Sequence, residues 1–110
     1  MSHHFTETCA YFTAARYMRA MEQLTDKIFA PTGMKPAYSY IMMALEDVHP
    51  QTIKELSTNL GYERSTISRL AKVLAQRNLV TLQAQGRATS IDLTSDSQDF
   101  LIIANRCLDN

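Results

Sequence analysis

Residues 52 to 78, TIKELSTNLGYERSTISRLAKVLAQRN, place two short helical periodicities on either side of one glycine, and this segment constrains the fold more than any other. Thr52 and Glu55 form a T-x-x-E capping box, in which a hydroxyl and a carboxylate each satisfy an orphan backbone amide, so a helix starts there. Ile53, Leu56 and Leu60 share its inward side, and Gly61 stands where a left-handed C-terminal cap is wanted. The turn Gly61, Tyr62, Glu63 then reverses the chain into a second helix that buries Ile67, Leu70, Ala71 and Leu74. Arg64, Ser65, Ser68, Arg69 and Lys72 fall on its opposite side, where no internal packing need explains them. Two helices in this relation are the layout of a helix-turn-helix whose second helix reads DNA.

The flanking sequence fits the same plan. Asn78 follows the second helix where glycine is usual, and asparagine is the next best residue at positive φ. Leu79 to Gln83 and Ala88 to Leu93 alternate enough for strands, with Ala84, Gln85, Gly86 and Arg87 as the loop between them. This hairpin with a basic tip makes the fold a winged helix-turn-helix, mainly α with a small β-hairpin wing. Ser95 and Gln98 supply a further capping box for a last helix.

Upstream, Phe5, Cys9, Phe12, Ala15, Met18, Met21, Leu24 and Ile28 recur every three or four residues, which predicts a helix of about seven turns ended by Pro31 and Gly33. Such a helix spans about 39 Å, longer than the core of a small domain covers. A second helix runs from Pro36 to about Asp47, with Tyr38, Ile41, Met42 and Leu45 as its apolar surface, and His49 and Pro50 stop it. The last helix carries Phe100, Leu101, Ile102, Ile103, Ala104, Cys107 and Leu108 and has little polar face. Pairing the first and last helices with their symmetry mates would bury both surplus surfaces and give a two-fold homodimer. The expected organisation is one domain over 1–110, with 1–33 and 95–110 as dimerisation helices and 34–94 as the winged lobe.

Composition agrees once it is divided along the chain. The 110 residues sum to zero net charge with 45% apolar residues, enough for one core. Residues 1–47 carry four basic and five acidic groups, 48–91 carry six and two, and 92–110 carry one and four, so the basic charge sits on the helix-turn-helix and wing. The longest uncharged apolar run, Ala37 to Leu45, is far short of the roughly 20 residues a bilayer needs, and no signal peptide pattern is present, which places the chain in the cytoplasm. Cys9 and Cys107 have no close Cys or His spacing, so reduced thiols are expected. His3, His4 and His49 lack the spacing of a metal site, and there is no glycine-rich phosphate loop or nucleophile elbow. No catalytic, cofactor or metal site is expected.

On these residues the chain resembles the MarR family (multiple antibiotic resistance regulators) across essentially its whole length, most strongly from Thr52 to Thr94. Ile53, Glu55, Leu56, Leu60 and Gly61 are similar to the family's third helix, and Glu63, Arg64, Ser65, Thr66, Ile67, Ser68, Arg69, Leu70 to its recognition helix. Gln85, Gly86, Arg87, then Leu93 and Thr94, resemble its wing, except that Gln85 replaces the aspartate that usually braces the wing arginine. The chain also has about one terminal helix where relatives commonly have two. The resemblance implies a dimeric DNA-binding transcriptional regulator, a repressor, with a small-molecule effector binding in a cleft between the dimer helices and the DNA lobe. Cys9 resembles the oxidisable thiol of the family's peroxide-sensing branch, although Lys35 stands before Pro36 where that branch has tyrosine.

The residue chemistry leads to the same DNA face independently. Arg64 and Arg69 have forked donors that suit guanine edges or phosphates, Ser65, Thr66 and Ser68 donate to phosphate or base, and Lys72 is a phosphate point charge. Arg87 at a loop tip is a minor-groove or backbone probe. Plainer readings stand beside these: Ser65 or Thr66 satisfying first-turn amides, Lys72 and Arg77 merely solvated, and Cys9 as small apolar filler on a helix. The rival from another class is a winged-helix protein-interaction module without DNA binding, which has little reason to keep Arg64, Arg69, Lys72 and Arg87 exposed together.

Overall fold

The computed structural model describes residues 9–109, with α1 at Ala10–Ile28, a 3-10 turn at Ala30–Thr32, α2 at Pro36–Asp47, β1 at Gln51–Thr52, α3 at Ile53–Leu60, α4 at Arg64–Gln76, β2 at Val80–Gln85, β3 at Ala88–Leu93 and α5 at Ser97–Asp109. The strands form an antiparallel sheet in the order β1-β3-β2, in which Val80 faces Leu93, Gln85 faces Ala88 and Thr52 faces Ser90. Ile41, Met42 and Leu45 of α2, Leu56 of α3 and Ile67, Leu70, Ala71 and Leu74 of α4 meet Val80, Ile91, Leu101 and Ala104 in one core. Among the described residues no helix is long and apolar enough to cross a membrane.

Local chemistry explains the helix-turn-helix. Thr52 Oγ1 accepts from the Glu55 amide at 3.1 Å while Glu55 Oε1 accepts from the Thr52 amide at 3.0 Å, completing the expected capping box. Gly61 closes α3 at φ 76°, a left-handed geometry that a β-carbon disfavours. Asn78 takes the same role after α4 at φ 61°. Replacing Thr52 with alanine should cost about 0.5–2 kcal/mol in denaturant unfolding at neutral pH. The bonds to Thr52 hold the Glu55 carboxyl below its ordinary value of 4.5. A carboxyl depressed in the folded state loses its contribution as pH falls through the folded value, so the penalty of Glu55→Ala, which removes the group held chiefly by the Thr52 amide, should shrink below about pH 4.5.

Several expectations need correction. The first helix stops at Ile28, and the chain is extended at Cys9 (φ −86°, ψ 111°), so that cysteine precedes α1 instead of lying within it. Phe5 of the expected stripe, like His3 and His4, lies outside the described residues. Phe29 ends the helix by burying itself edge-on against Tyr40 at a ring separation of 5.6 Å, which draws the chain into the 3-10 turn before Pro31 and Gly33 are reached. The wing loop is shorter than expected: Ala84 and Gln85 pair with Thr89 and Ala88, leaving Gly86 and Arg87 as a two-residue turn, because Gly86 supplies positive φ at its first position.

The strand β1 was not anticipated. Two residues are too few to show alternation, and what seats them is the buried Gln51, whose amide donates to the Ala44 and Val48 carbonyls while its oxygen accepts from Asn59. Nor does a Ser95–Gln98 capping box form. Asn78 binds the incoming chain instead, accepting from the Thr94 hydroxyl and donating to Asp96, and α5 begins at Ser97 with its amide and hydroxyl on the Thr94 carbonyl.

The two terminal helices differ in what they expose. No residue of α1 is buried, and Tyr17, Met18, Met21, Leu24 and Ile28 face solvent on the single chain. The radius of gyration of 16.9 Å exceeds the roughly 13 Å of a compact chain this size, and the longest extent is 58 Å. Helix α5 divides in two: Phe100, Leu101, Ala104 and Cys107 serve its own core, and Ile102, Ile103 and Leu108 point outward. The expectation that the whole apolar surface of this helix awaits a partner therefore holds for the outward set alone.

Candidate nucleic-acid interface

Helix α4 turns by about 100° per residue. Measured from Arg64, Ser68, Lys72, Ser65 and Arg69 then lie at about 40°, 80°, 100° and 140°, whereas the four buried residues occupy roughly 240° to 340°. Arg64, Ser65, Arg69 and Lys72 are exposed, and Ser68 and Thr66 are half-buried. Arg64 and Thr66 thus mark the two edges of the outward face. Helix α4 opens at Glu63 with no side-chain cap, so neither Ser65 nor Thr66 is spent on its first turn in that way.

The orientation of α4 is set from behind. Its buried residues seat on α2 and α3, the Ser57 hydroxyl donates to the Tyr62 carbonyl in the connecting turn, and β2 begins two residues after Asn78. Arg87 sits at the wing turn with its side chain exposed, and among the described residues it has no hydrogen bond to Gln85 or to any carboxylate. Only Lys35 and Asp26, 3.2 Å apart, form an ion pair among the described residues, which leaves Lys54, Arg64, Arg69, Lys72 and Arg87 unneutralised.

The sequence-predicted residues do not all converge. Arg64 and Arg87 line one groove of about 320 Å³ together with Lys54, at the junction of α3, α4 and the wing. Ser65, Ser68, Arg69 and Lys72 lie outside that groove, along the crest of α4. Lys54 escaped the sequence reading because it belongs to α3 and only the folded chain sets it against α4. Its one visible signal is its place in the first turn after the Thr52 cap.

A second concavity, about 520 Å³, opens between α1 and the winged lobe, with Met18, Met21, Pro36, Ala37, Tyr40 and Tyr62 among its walls and the Lys35–Asp26 pair beside them. Burial, with Tyr40 nearby, raises the Tyr62 phenol above its ordinary value of 10, so at neutral pH it offers an O–H donor. Tyr62 belongs to the turn that immediately precedes α4. Cys9 is exposed and Cys107 buried, so Cys9 is not the small core filler that its spacing suggested. Among the described residues no cluster of His, Cys, Asp or Glu is able to hold a metal ion.

The MarR family model matches residues 32–88, just over half of the chain, from the 3-10 turn through the wing turn. This chain belongs to the MarR family. No curated protein matches it in sequence. Among solved structures, this MarR-family chain is similar to the M. tuberculosis transcriptional regulator MosR in complex with DNA, at 27% identity over 90% of this chain and 74% of that one, with a TM-score of 0.77. It also resembles PcaV from Streptomyces coelicolor in complex with its natural ligand (20% identity, 99% and 79% covered, TM-score 0.81) and the repressor CouR bound to a 23-mer DNA duplex (17%, 100% and 80%, 0.80). Those two likenesses establish the mainly α, winged helix-turn-helix fold alone.

Proposed function

We infer that this chain is a sequence-specific DNA-binding transcriptional regulator that acts as a homodimer and represses by occupying its operator. The observation that carries this reading is the outward face of α4, where exposed arginine, lysine and serine side chains stand together without an acidic partner, beside a wing whose tip is Arg87. Helix α4 enters the major groove, with Ser65, Ser68 and Arg69 toward base edges and Lys72 toward phosphate, while Thr66 at the half-buried edge contributes least. The wing lies beside the minor groove. Helices α1 and α5 supply the dimer contact. The chain works by binding, carries no catalytic role, and acts in the cytoplasm where its operator is.

Release from DNA fits the cleft that contains Tyr62. A small molecule with an apolar body and a hydrogen-bond acceptor would press on the turn that sets the start of α4, and so alter operator affinity. Oxidation of the exposed Cys9 is the other available signal.

Binding to mixed-sequence DNA fragments over a range of salt concentrations tests the whole reading. Each phosphate neutralised contributes about −0.9 to the slope of log affinity against log salt, so a slope of about −4 or steeper is expected for the dimer. A slope near zero would instead favour a winged-helix module that recognises protein.

A further inference from the structure

The groove between α3, α4 and the wing has no role in the reading above beyond its two arginines. The geometry points to a phosphate-backbone cradle formed by Lys54, Arg64 and Arg87, in which Lys54 is a DNA-contact residue outside the recognition helix and Arg64 grips backbone instead of reading a base. This inference rests on the DNA-binding reading and refines which residues supply affinity and which supply preference.

Three observations carry it. The cations come from three separate segments, the first turn of α3, the first residue of α4 and the wing turn, yet all line one groove of about 320 Å³. Their relative placement is fixed by backbone: Thr52 pairs with Ser90 across β1 and β3, so the start of α3 is tied to the wing that carries Arg87. None of the three is neutralised by a carboxylate, and the acid nearest in sequence to Lys54, Glu55, turns its carboxylate back to the Thr52 amide at 3.0 Å.

The geometry of a duplex decides what meets this groove. A reader that lays α4 in the major groove and the wing beside the minor groove must straddle the sugar–phosphate ridge that separates them. The concavity between the start of α4 and the wing is the complement of that ridge. Arg64 faces it from the edge of α4 that borders the wing, about 140° around the helix from Arg69, and is the one residue of α4 that lines the groove.

The test compares Lys54→Gln, Arg64→Gln and Arg69→Gln in the full-length protein, each titrated with salt against a duplex selected from a random library and against mixed-sequence duplex. Lys54→Gln and Arg64→Gln should each lower the salt slope by about one unit per subunit, about two per dimer, and leave the ratio of selected to mixed affinity within about two-fold of the parent. Lys54→Arg, which keeps the charge, should restore the parent slope. An unchanged slope in Lys54→Gln, or a fall of about ten-fold or more in the affinity ratio in Arg64→Gln, would overturn the cradle while the DNA-binding reading stands on the parent's own slope. A parent slope near zero sinks both. Lys54 and Arg64 are exposed, so thermal melting of the variants should match the parent and exclude misfolding as the cause.

Discussion

Glutamate at Leu24 and Ile103 together should convert the protein from a dimer to a folded monomer of 12.5 kDa and remove at least two orders of magnitude of operator affinity. Leu24 is 51% exposed on α1 and Ile103 38% exposed on α5, so neither change touches the chain's own core. The stripes they belong to, Met18, Met21, Leu24 and Ile28 on one helix and Ile102, Ile103 and Leu108 on the other, are larger than a soluble monomer usually leaves in water. Burying a pair of carboxylates at a symmetric contact brings like charges together without partners, which costs several kcal/mol for each desolvated charge. Affinity falls because two half-sites held by one dimer bind with an effective concentration that separate monomers lack. Light scattering reads the mass, and circular dichroism checks that the helices remain. A variant that stays at twice the chain mass removes α1 and α5 from the interface. Phe100→Glu makes the contrast: that side chain is 9% exposed and packs inside the protomer, so its loss should unfold the chain along with the dimer.

What could be read from the sequence was what neighbouring residues decide among themselves. The Thr52–Glu55 box, the left-handed Gly61 and Asn78, and the buried set Ile67, Leu70, Ala71 and Leu74 each depend on a few positions in one helix, and each stands in the structure. Misreadings cluster where a distant residue intervenes. Ser95 had a plausible partner in Gln98, but Asn78, held at positive φ by the end of α4, recruits Thr94 and Asp96 first. Phe29 lies off the first helix's stripe and gives no periodic signal, yet its burial against Tyr40 decides where that helix stops. The division of the basic residues is of the same kind: a helical wheel sets Arg64 and Arg69 about 140° apart on one outward face, and only the wing folding back beside α3 gives Arg64 the groove that Arg69 lacks. Lys54 and Tyr62 entered the picture for the same reason, each lining a concavity built from segments far apart in the chain.

That division makes a sharp expectation for Arg69. It lies on the crest of α4, exposed and without a carboxylate, and its forked donors suit the O6 and N7 of a guanine in the major groove. Arg69→Ala should cost about 1–3 kcal/mol per half-site, about 2–6 kcal/mol for the dimer on its selected duplex, and much less on mixed DNA. Ser68→Ala, at a half-buried hydroxyl closer to the helix axis, should give a smaller loss of the same kind. Selection from a random library by the parent should return two inverted half-sites one helical turn apart, about 34–36 Å, because a two-fold dimer presents its two copies of α4 to the same side of the duplex. Repeating the selection with Arg69→Ala should relax one position in each half-site, symmetrically, while the rest of the preference persists. The affinity ratio and the selected sequences therefore have to change together. If Arg69→Ala lowered affinity equally on selected and mixed DNA and returned the parent's preferred sequence, Arg69 would be one more phosphate contact, and base reading would have to move to Ser65 and Ser68 or to the width of the minor groove under the wing.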